Sequence, residues 1–204
     1  AKEIKPYVVG IDIGGTNTKF GIVNHRGEIL AKGSLKTTDY DNVEDFIDAL
    51  YNNIYPLLKD LNDITFKGIG VGAPDANFYK GTIEHAPNLV WKGVIPFSEL
   101  IAKKFGTPCT ITNDANAAAL GELMYGAARG MKDFIMITLG TGVGSGIIAG
   151  GKLIYGHDGF AGELGHTIVK SGGRKHWSTG SEGSLEAYAS ATGITITAKK
   201  LRAE

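Results

Sequence analysis

The chain of 204 residues predicts an α/β fold in two domains, and three observations carry that expectation. Short apolar runs alternate with stretches of helical periodicity. A strand, glycine turn, strand unit occurs twice, as GIDIGGTNTKFGIVNHRGEI and again as MITLGTGVGSGIIAGGKLI. The 30 glycines gather at 14–15, 68–72, 140–151 and 156–183, places where the backbone must turn sharply or let a ligand approach closely.

Residues 7–12 (YVVGID) read as a buried strand, 18–23 (TKFGIV) as its partner, and 28–32 continue the meander. Asp41-Asn42 offers a helix cap. Val43, Phe46, Ile47, Leu50, Ile54, Leu57 and Leu58 then follow at helical spacing. Another buried strand spans 66–71 and ends at Gly72-Ala73-Pro74. Residues 98–105 suit a helix, 109–112 a strand and 113–128 a helix. A second strand set opens at 134–139. The chain ends in a helix start at 185–188 and an amphipathic stretch from 195 to 204. The domain boundary is expected near 114–116, giving domains of residues 1–115 and 116–204.

Lys+Arg and Asp+Glu number 21 each, so formal net charge is zero. Neither a nucleic-acid nor a membrane-surface role is expected, since both need clustered positive charge. The run Lys199-Lys200 with Arg202 reads as a solvated helix face. Cys109 is the single cysteine, so no internal disulfide can form, which fits a reducing compartment. With no leader pattern and no apolar run long enough to span a bilayer, the expected location is cytoplasmic.

Two turns are candidates for phosphate binding. In Asp12-Ile13-Gly14-Gly15-Thr16-Asn17-Thr18-Lys19 the glycines let backbone N–H groups reach phosphate oxygens. The hydroxyls there add donors, Lys19 adds charge, and Asp12 could hold Mg²⁺ through water. The alternative is a tight hairpin with a polar turn. The second turn, Thr138-Leu139-Gly140-Thr141-Gly142, is neither a P-loop nor a dinucleotide fingerprint, and it too could be a plain hairpin. Asn113-Asp114 follows a strand and precedes an alanine-rich helix. Asp114 could accept a proton from a substrate hydroxyl or simply cap the helix. Glu163 and His166, three apart near the start of a strand, could with Glu186 hydrogen-bond a polyol, although a satisfied structural histidine is the commoner fate.

Together the segments DIGGTNTK, TNDANAAALGE, LGTGVGSGI, GFAGELGH and GSLEAYAS, with the block at 86–97, resemble the ROK family (repressors, open reading frames and kinases). The likeness is to its glucokinase-type sugar kinases and runs the length of the chain. It implies an actin-like (ribonuclease H-like) ATPase fold with sugar in the cleft and ATP·Mg²⁺ mostly on the larger domain. It also implies phosphorylation of a hexose, glucose to glucose 6-phosphate above others, and a homodimer. By position, Asp114 would be the base. Asn88, Asn113, Asp114, Glu163, His166 and Glu186 would bind the sugar. Asp12, Gly14, Gly15, Thr16, Asn17 and Lys19 would face the phosphates on one side, and Thr138, Gly140, Thr141 and Gly142 on the other.

There are two departures from the family pattern. The family's loop carries CxCGxxGC, whose three cysteines and a histidine bind structural zinc, but here those positions hold Trp177, Thr179 and Ser184. Neutral hydroxyls are poor Zn²⁺ ligands and Trp is none. The expectation is no structural zinc, with Trp177 packed under the loop and hydroxyl hydrogen bonds in its place. His166 is then freed for the sugar, and His176 is expected at the surface. The family's kinases also run on through an adenosine-binding segment and a closing helix, so the second domain is expected to be incomplete. The alternatives are a non-catalytic sugar-binding fragment or a ROK-type transcriptional regulator without its DNA-binding domain.

Overall fold

Alternating burial along the first strand shows how the larger sheet is covered. In β1 (Pro6–Ile13) Val9, Ile11 and Ile13 are buried, whereas Val8 on the opposite face is 42% exposed. The run read as buried is therefore covered on one face only, the period-two pattern of a strand with a single core side. The computed structural model describes residues 6–61 and 65–203. β2 (Asn17–Asn24) and β3 (Ile29–Lys36) complete an antiparallel meander. Helix α1 (Val43–Asp60) starts where Asn42 accepts a hydrogen bond from the Asp45 N–H at 2.8 Å. It buries Phe46, Ile47, Leu50 and Ile54, the stripe its spacing predicts.

β4 (Thr65–Gly72) lies parallel to β1. A small antiparallel sheet of β5 (Ala76–Asn77), β6 (Thr82–Glu84) and β7 (Val94–Ile95) follows. Nothing in the sequence revealed it, because strands of two or three residues leave no periodicity. Ile95 pairs with Ile83 and is buried there. Helix α2 (Phe97–Phe105) ends at Gly106, whose φ of 65° favours glycine. β8 (Cys109–Thr112) joins β4 in parallel, giving the order β3-β2-β1-β4-β8. Helix α3 spans Asp114–Tyr125, shorter than the expected 113–128.

The chain divides into two compact units, Ala1–Ala117 and Ala118–Glu204, the break falling within α3. The core of the first unit joins Val9, Ile11, Ile13, Phe46, Leu50, Phe97 and Ile111. In the second, β9 (Phe134–Leu139), β10 (Val143–Ala149) and β11 (Lys152–Leu153) form another antiparallel meander. The unit read twice in the sequence thus takes the same path in each half. Glu163 and His166, expected near a strand, lie on a 3₁₀ turn (Leu164–His166), Glu163 just before it and His166 at its end. Helices α4 (Leu185–Ala189) and α5 (Ala191–Ala203) close the described chain, α5 beginning four residues before the expected start at 195. They are joined by Arg174, whose guanidinium donates to the Ala187 and Gly193 carbonyls, each at 2.8 Å. Among the described residues no helix is long and apolar enough to cross a membrane.

Candidate active site

In the first unit the carboxyl ends of the parallel strands gather the candidates. The register sets Asp12 of β1 beside Gly72 of β4, and Gly72 beside Thr112 of β8, so Asn113 and Asp114 come next beyond that row. A Cβ at Gly72 would stand 3.5 Å from the Asp114 Cα and 3.3 Å from the Ala117 Cβ. Glycine lets the first turn of α3 lie against the strand end. There the helix N-terminus presents the positive end of its dipole.

Asp12 is open to solvent as a residue, yet its carboxyl is held above the ordinary carboxylate range. Partial burial is the main cause, repulsion from Asp114 the second, and Lys19, its cross-strand partner, pulls the other way. A group whose pKa is raised by folding contributes stability below its unfolded pKa and loses it as pH rises through the folded value. Asp12→Asn is therefore expected to raise the melting temperature of the ligand-free protein at pH 7. The gain should vanish below about pH 4, where the carboxylate is neutral anyway. Melting curves across pH check this, and an unchanged or lower melting temperature at pH 7 would refute it.

The turn after Asp12 is pinned from outside. The Gly14 N–H donates to the Asn17 carbonyl at 3.0 Å. The Thr37 hydroxyl donates to the Gly14 carbonyl at 2.7 Å, and its N–H to the Thr16 carbonyl at 2.9 Å. Buried Thr37 also shares a 2.8 Å hydroxyl contact with Thr18. Sequence reasoning missed Thr37, which stands in no motif. The glycines serve close approach rather than a left-handed turn, since neither Gly14 nor Gly15 has a positive φ. A Cβ on Gly15 would lie 2.7 Å from the Asn88 carbonyl oxygen. That contact brings Asn88 to the turn, and buried Leu89 and Trp91 anchor it, the Trp91 indole donating to the Tyr40 carbonyl at 3.0 Å. Thr16, Asn17, Lys19 and Asn88 remain exposed.

At β8 the cap is Asn113, not Asp114. The Asn113 carbonyl accepts the first helical bond, from the Ala117 N–H at 2.9 Å, and its Oδ1 accepts from the Ala115 N–H at 2.8 Å. Asp114 follows in the first helical position, exposed, with Oδ1 on the same Ala115 N–H at 2.8 Å. Asn113 and Asp114 thus share one N–H, the first from the cap and the second from the first turn.

In the second unit three elements converge on Glu186. Thr138 pairs with Gly144 and Leu139 with Val143, closing the hairpin around Gly140, Thr141 and Gly142. The Ala191 N–H ties the Gly140 carbonyl to the start of α5 at 2.8 Å. Glu186 Oε2 accepts from the Val143 N–H at 2.8 Å. A Cβ on Gly142 would lie 2.5 Å from that oxygen. Gly165 is just as confined, because a Cβ there would strike the Val143 carbonyl and approach Glu186 Oε2 to 3.4 Å. Glu163 and His166, on either side of Gly165, are half exposed, with Nε2 and Oε2 3.7 Å apart.

The loop between them departs from expectation. His176, expected at the surface, is 3% exposed, whereas Trp177, expected beneath the loop, is 45% exposed and its ring lies 4.1 Å from that of His176. The imidazole is the smaller, more polar ring and takes the interior, where loop amides and hydroxyls meet it. The residues do not fit a zinc ion. The Thr179 hydroxyl engages His176 and the Ser181 hydroxyl, and Ser184 caps α4 through the Ala187 N–H at 3.3 Å. No group of three or more His, Cys, Asp or Glu among the described residues could hold a metal ion.

A sequence model of the ROK family matches residues 8–204. The chain belongs to the ROK family. A glucokinase of Halalkalibacterium halodurans is 39% identical over 92% of this chain and 58% of its own length. A xylose repressor of Caldicellulosiruptor bescii is 34% identical over 95% of this chain and 49% of its own. The structure of a ROK glucokinase from Streptomyces griseus, in complex with glucose and AMPPNP, superposes with a TM-score of 0.78 at 36% identity, covering 95% of this chain and 60% of that one. This chain thus shares the actin-like α/β fold of ROK kinases and spans between 49% and 60% of the length of these relatives.

Proposed function

We propose that the protein to which this chain belongs transfers the γ-phosphoryl group of ATP to a hexose, glucose first among candidates, with Asp114 as base. The observation that carries this reading is the row formed by the carboxyl ends of parallel strands, which brings Asp12, Asn113 and Asp114 to one end of the sheet beside a backbone turn pinned by Thr37.

The chemistry asks mostly for positioning and charge neutralisation. Asp114 accepts the proton of the attacking hydroxyl. Its Oδ1 is held by the Ala115 N–H, which fixes the carboxylate's orientation. Lys19 and the N–H groups around Gly14 to Asn17 face phosphate charge, and the Thr138 to Gly142 turn does so in the second unit. Asn88, Asn113, Glu163, His166 and Glu186 orient the sugar hydroxyls. A site built on several such bonds rejects sugars that leave them unmade. Asp12, an exposed carboxylate at the carboxyl end of β1, is an oxygen donor of the kind that would hold the magnesium ion. When bound, Mg²⁺ supplies charge neutralisation on the phosphates.

The test is ADP release by the full-length protein with ATP, Mg²⁺ and a panel of glucose, mannose, fructose and N-acetylated hexosamines. Hexose-dependent ADP formation, fastest with glucose, is expected. Binding of a hexose without ADP formation would favour a sugar-binding or regulatory role instead.

A further inference from the structure

We propose that His176 is a positioning residue whose imidazole both braces the loop of residues 174–184 and holds the carboxylate of Glu186 in its working orientation. The second half of this statement rests on the reading of Glu186 as a sugar ligand.

The loop is rich in glycine and hydroxyl residues and buries little apolar surface, so it needs an internal anchor. That anchor is one ring nitrogen. His176 Nδ1 lies 3.3 Å from the Ser178 N–H nitrogen, 3.2 Å from that of Thr179, 3.3 Å from the Ser178 hydroxyl and 3.1 Å from the Thr179 hydroxyl. Backbone N–H groups can only donate, so Nδ1 must be the unprotonated acceptor. In a neutral imidazole the proton then sits on Nε2. Nε2 is buried and lies 2.8 Å from Glu186 Oε1, but the N–H does not point along that line, so Nε2 is left without a hydrogen-bond partner and Glu186 Oε1 is the acceptor within reach of it. The other oxygen, Oε2, is held by the Val143 N–H at 2.8 Å. One carboxylate is thus met on two sides, hydrogen-bonded by a strand amide through Oε2 and approached at Oε1 by the Nε2 of a histidine that is 3% exposed. The family's loop is braced by metal through side chains this chain lacks. Here a neutral ring supplies the brace, and its second nitrogen reaches the residue beside the substrate.

Nitrogen-15 NMR of the imidazoles in the full-length protein reads the arrangement without any substrate. A His176 ring with bare Nδ1 and protonated Nε2 is expected, with an Nε2–H signal that shifts in Glu186→Gln. A protonated Nδ1, or a signal indifferent to that change, would overturn the proposal. Two variants separate brace from positioning. His176→Asn keeps an acceptor near Nδ1 and loses the Nε2 donor, so the melting temperature should stay close to wild type while KM for the hexose rises about tenfold, as expected for losing one bond to a charged group. His176→Gln keeps a donor near Nε2 and loses the acceptor, so the melting temperature should fall with KM nearly unchanged. Equal effects of the two variants on KM would contradict the positioning role. Metal analysis of the wild-type protein should find less than stoichiometric zinc, and one zinc per chain would overturn the brace. If no hexose is phosphorylated or bound, the functional reading fails, and the NMR result alone still decides whether His176 holds Glu186.

Discussion

Replacing Asp114 by Asn is expected to lower turnover by roughly 10²–10⁴-fold while leaving hexose affinity nearly unchanged. The substitution keeps the side chain's shape and an oxygen able to accept the Ala115 N–H, so the start of α3 survives. Asn113, not Asp114, carries the cap, which also protects the helix. Removing the charge relieves Asp12 of one cause of its raised pKa, so melting temperature should not fall. What disappears is the ability to take a proton as the oxygen attacks, an interaction made only on the way to the transition state. Such a loss appears in kcat and leaves ground-state binding alone. Steady-state kinetics, with calorimetry for hexose binding, separates the two quantities. Wild-type turnover in Asp114→Asn would reject the assignment.

The second large effect is expected of Gly15→Ala. The added methyl would stand 2.7 Å from the Asn88 carbonyl oxygen, and neither side can yield cheaply. The turn is fastened through Gly14 and Thr16 to Thr37, while Asn88 sits beside buried Leu89 and Trp91. Overpacking of this kind costs about 1–3 kcal/mol. A displacement of about 1 Å between groups that must align lowers rate on the order of 10²-fold. Gly10→Ala is the control, because a Cβ there meets nothing within 4 Å. Melting temperature and kcat/KM should drop for Gly15→Ala and hold for Gly10→Ala. Matching behaviour of the two would mean that the turn does not depend on the contact with Asn88.

Much of this arrangement was legible in the sequence, for reasons that are physical. The stripe from Phe46 to Ile54 and the alternation in β1 record which faces meet the core, and a core long enough to need them leaves a period to read. Glycines 15, 142 and 165 mark places where a carbonyl or carboxylate comes too near for a Cβ, although the sequence cannot say which partner approaches. Contacts between residues far apart in sequence stayed hidden. Thr37 fastens the first turn from outside any motif, and Arg174 joins α4 to α5 through backbone carbonyls. The loop of 174–184 differs from expectation for a related reason. Trp177 is the more apolar ring, which favours it for the interior, yet it is 45% exposed. A loop of amides and hydroxyls needs a polar centre, and His176 provides one.

The central claim is that Asp114 meets the hydroxyl to be phosphorylated. A crystal structure of the full-length protein with a hexose and a non-hydrolysable ATP analogue tests it most directly. The expected result places the Asp114 carboxylate within roughly 2.6–3.2 Å of the acceptor hydroxyl, with Glu186 on the same sugar. A hexose bound with its acceptor hydroxyl on some other carboxylate, and Asp114 turned to solvent, would contradict the account.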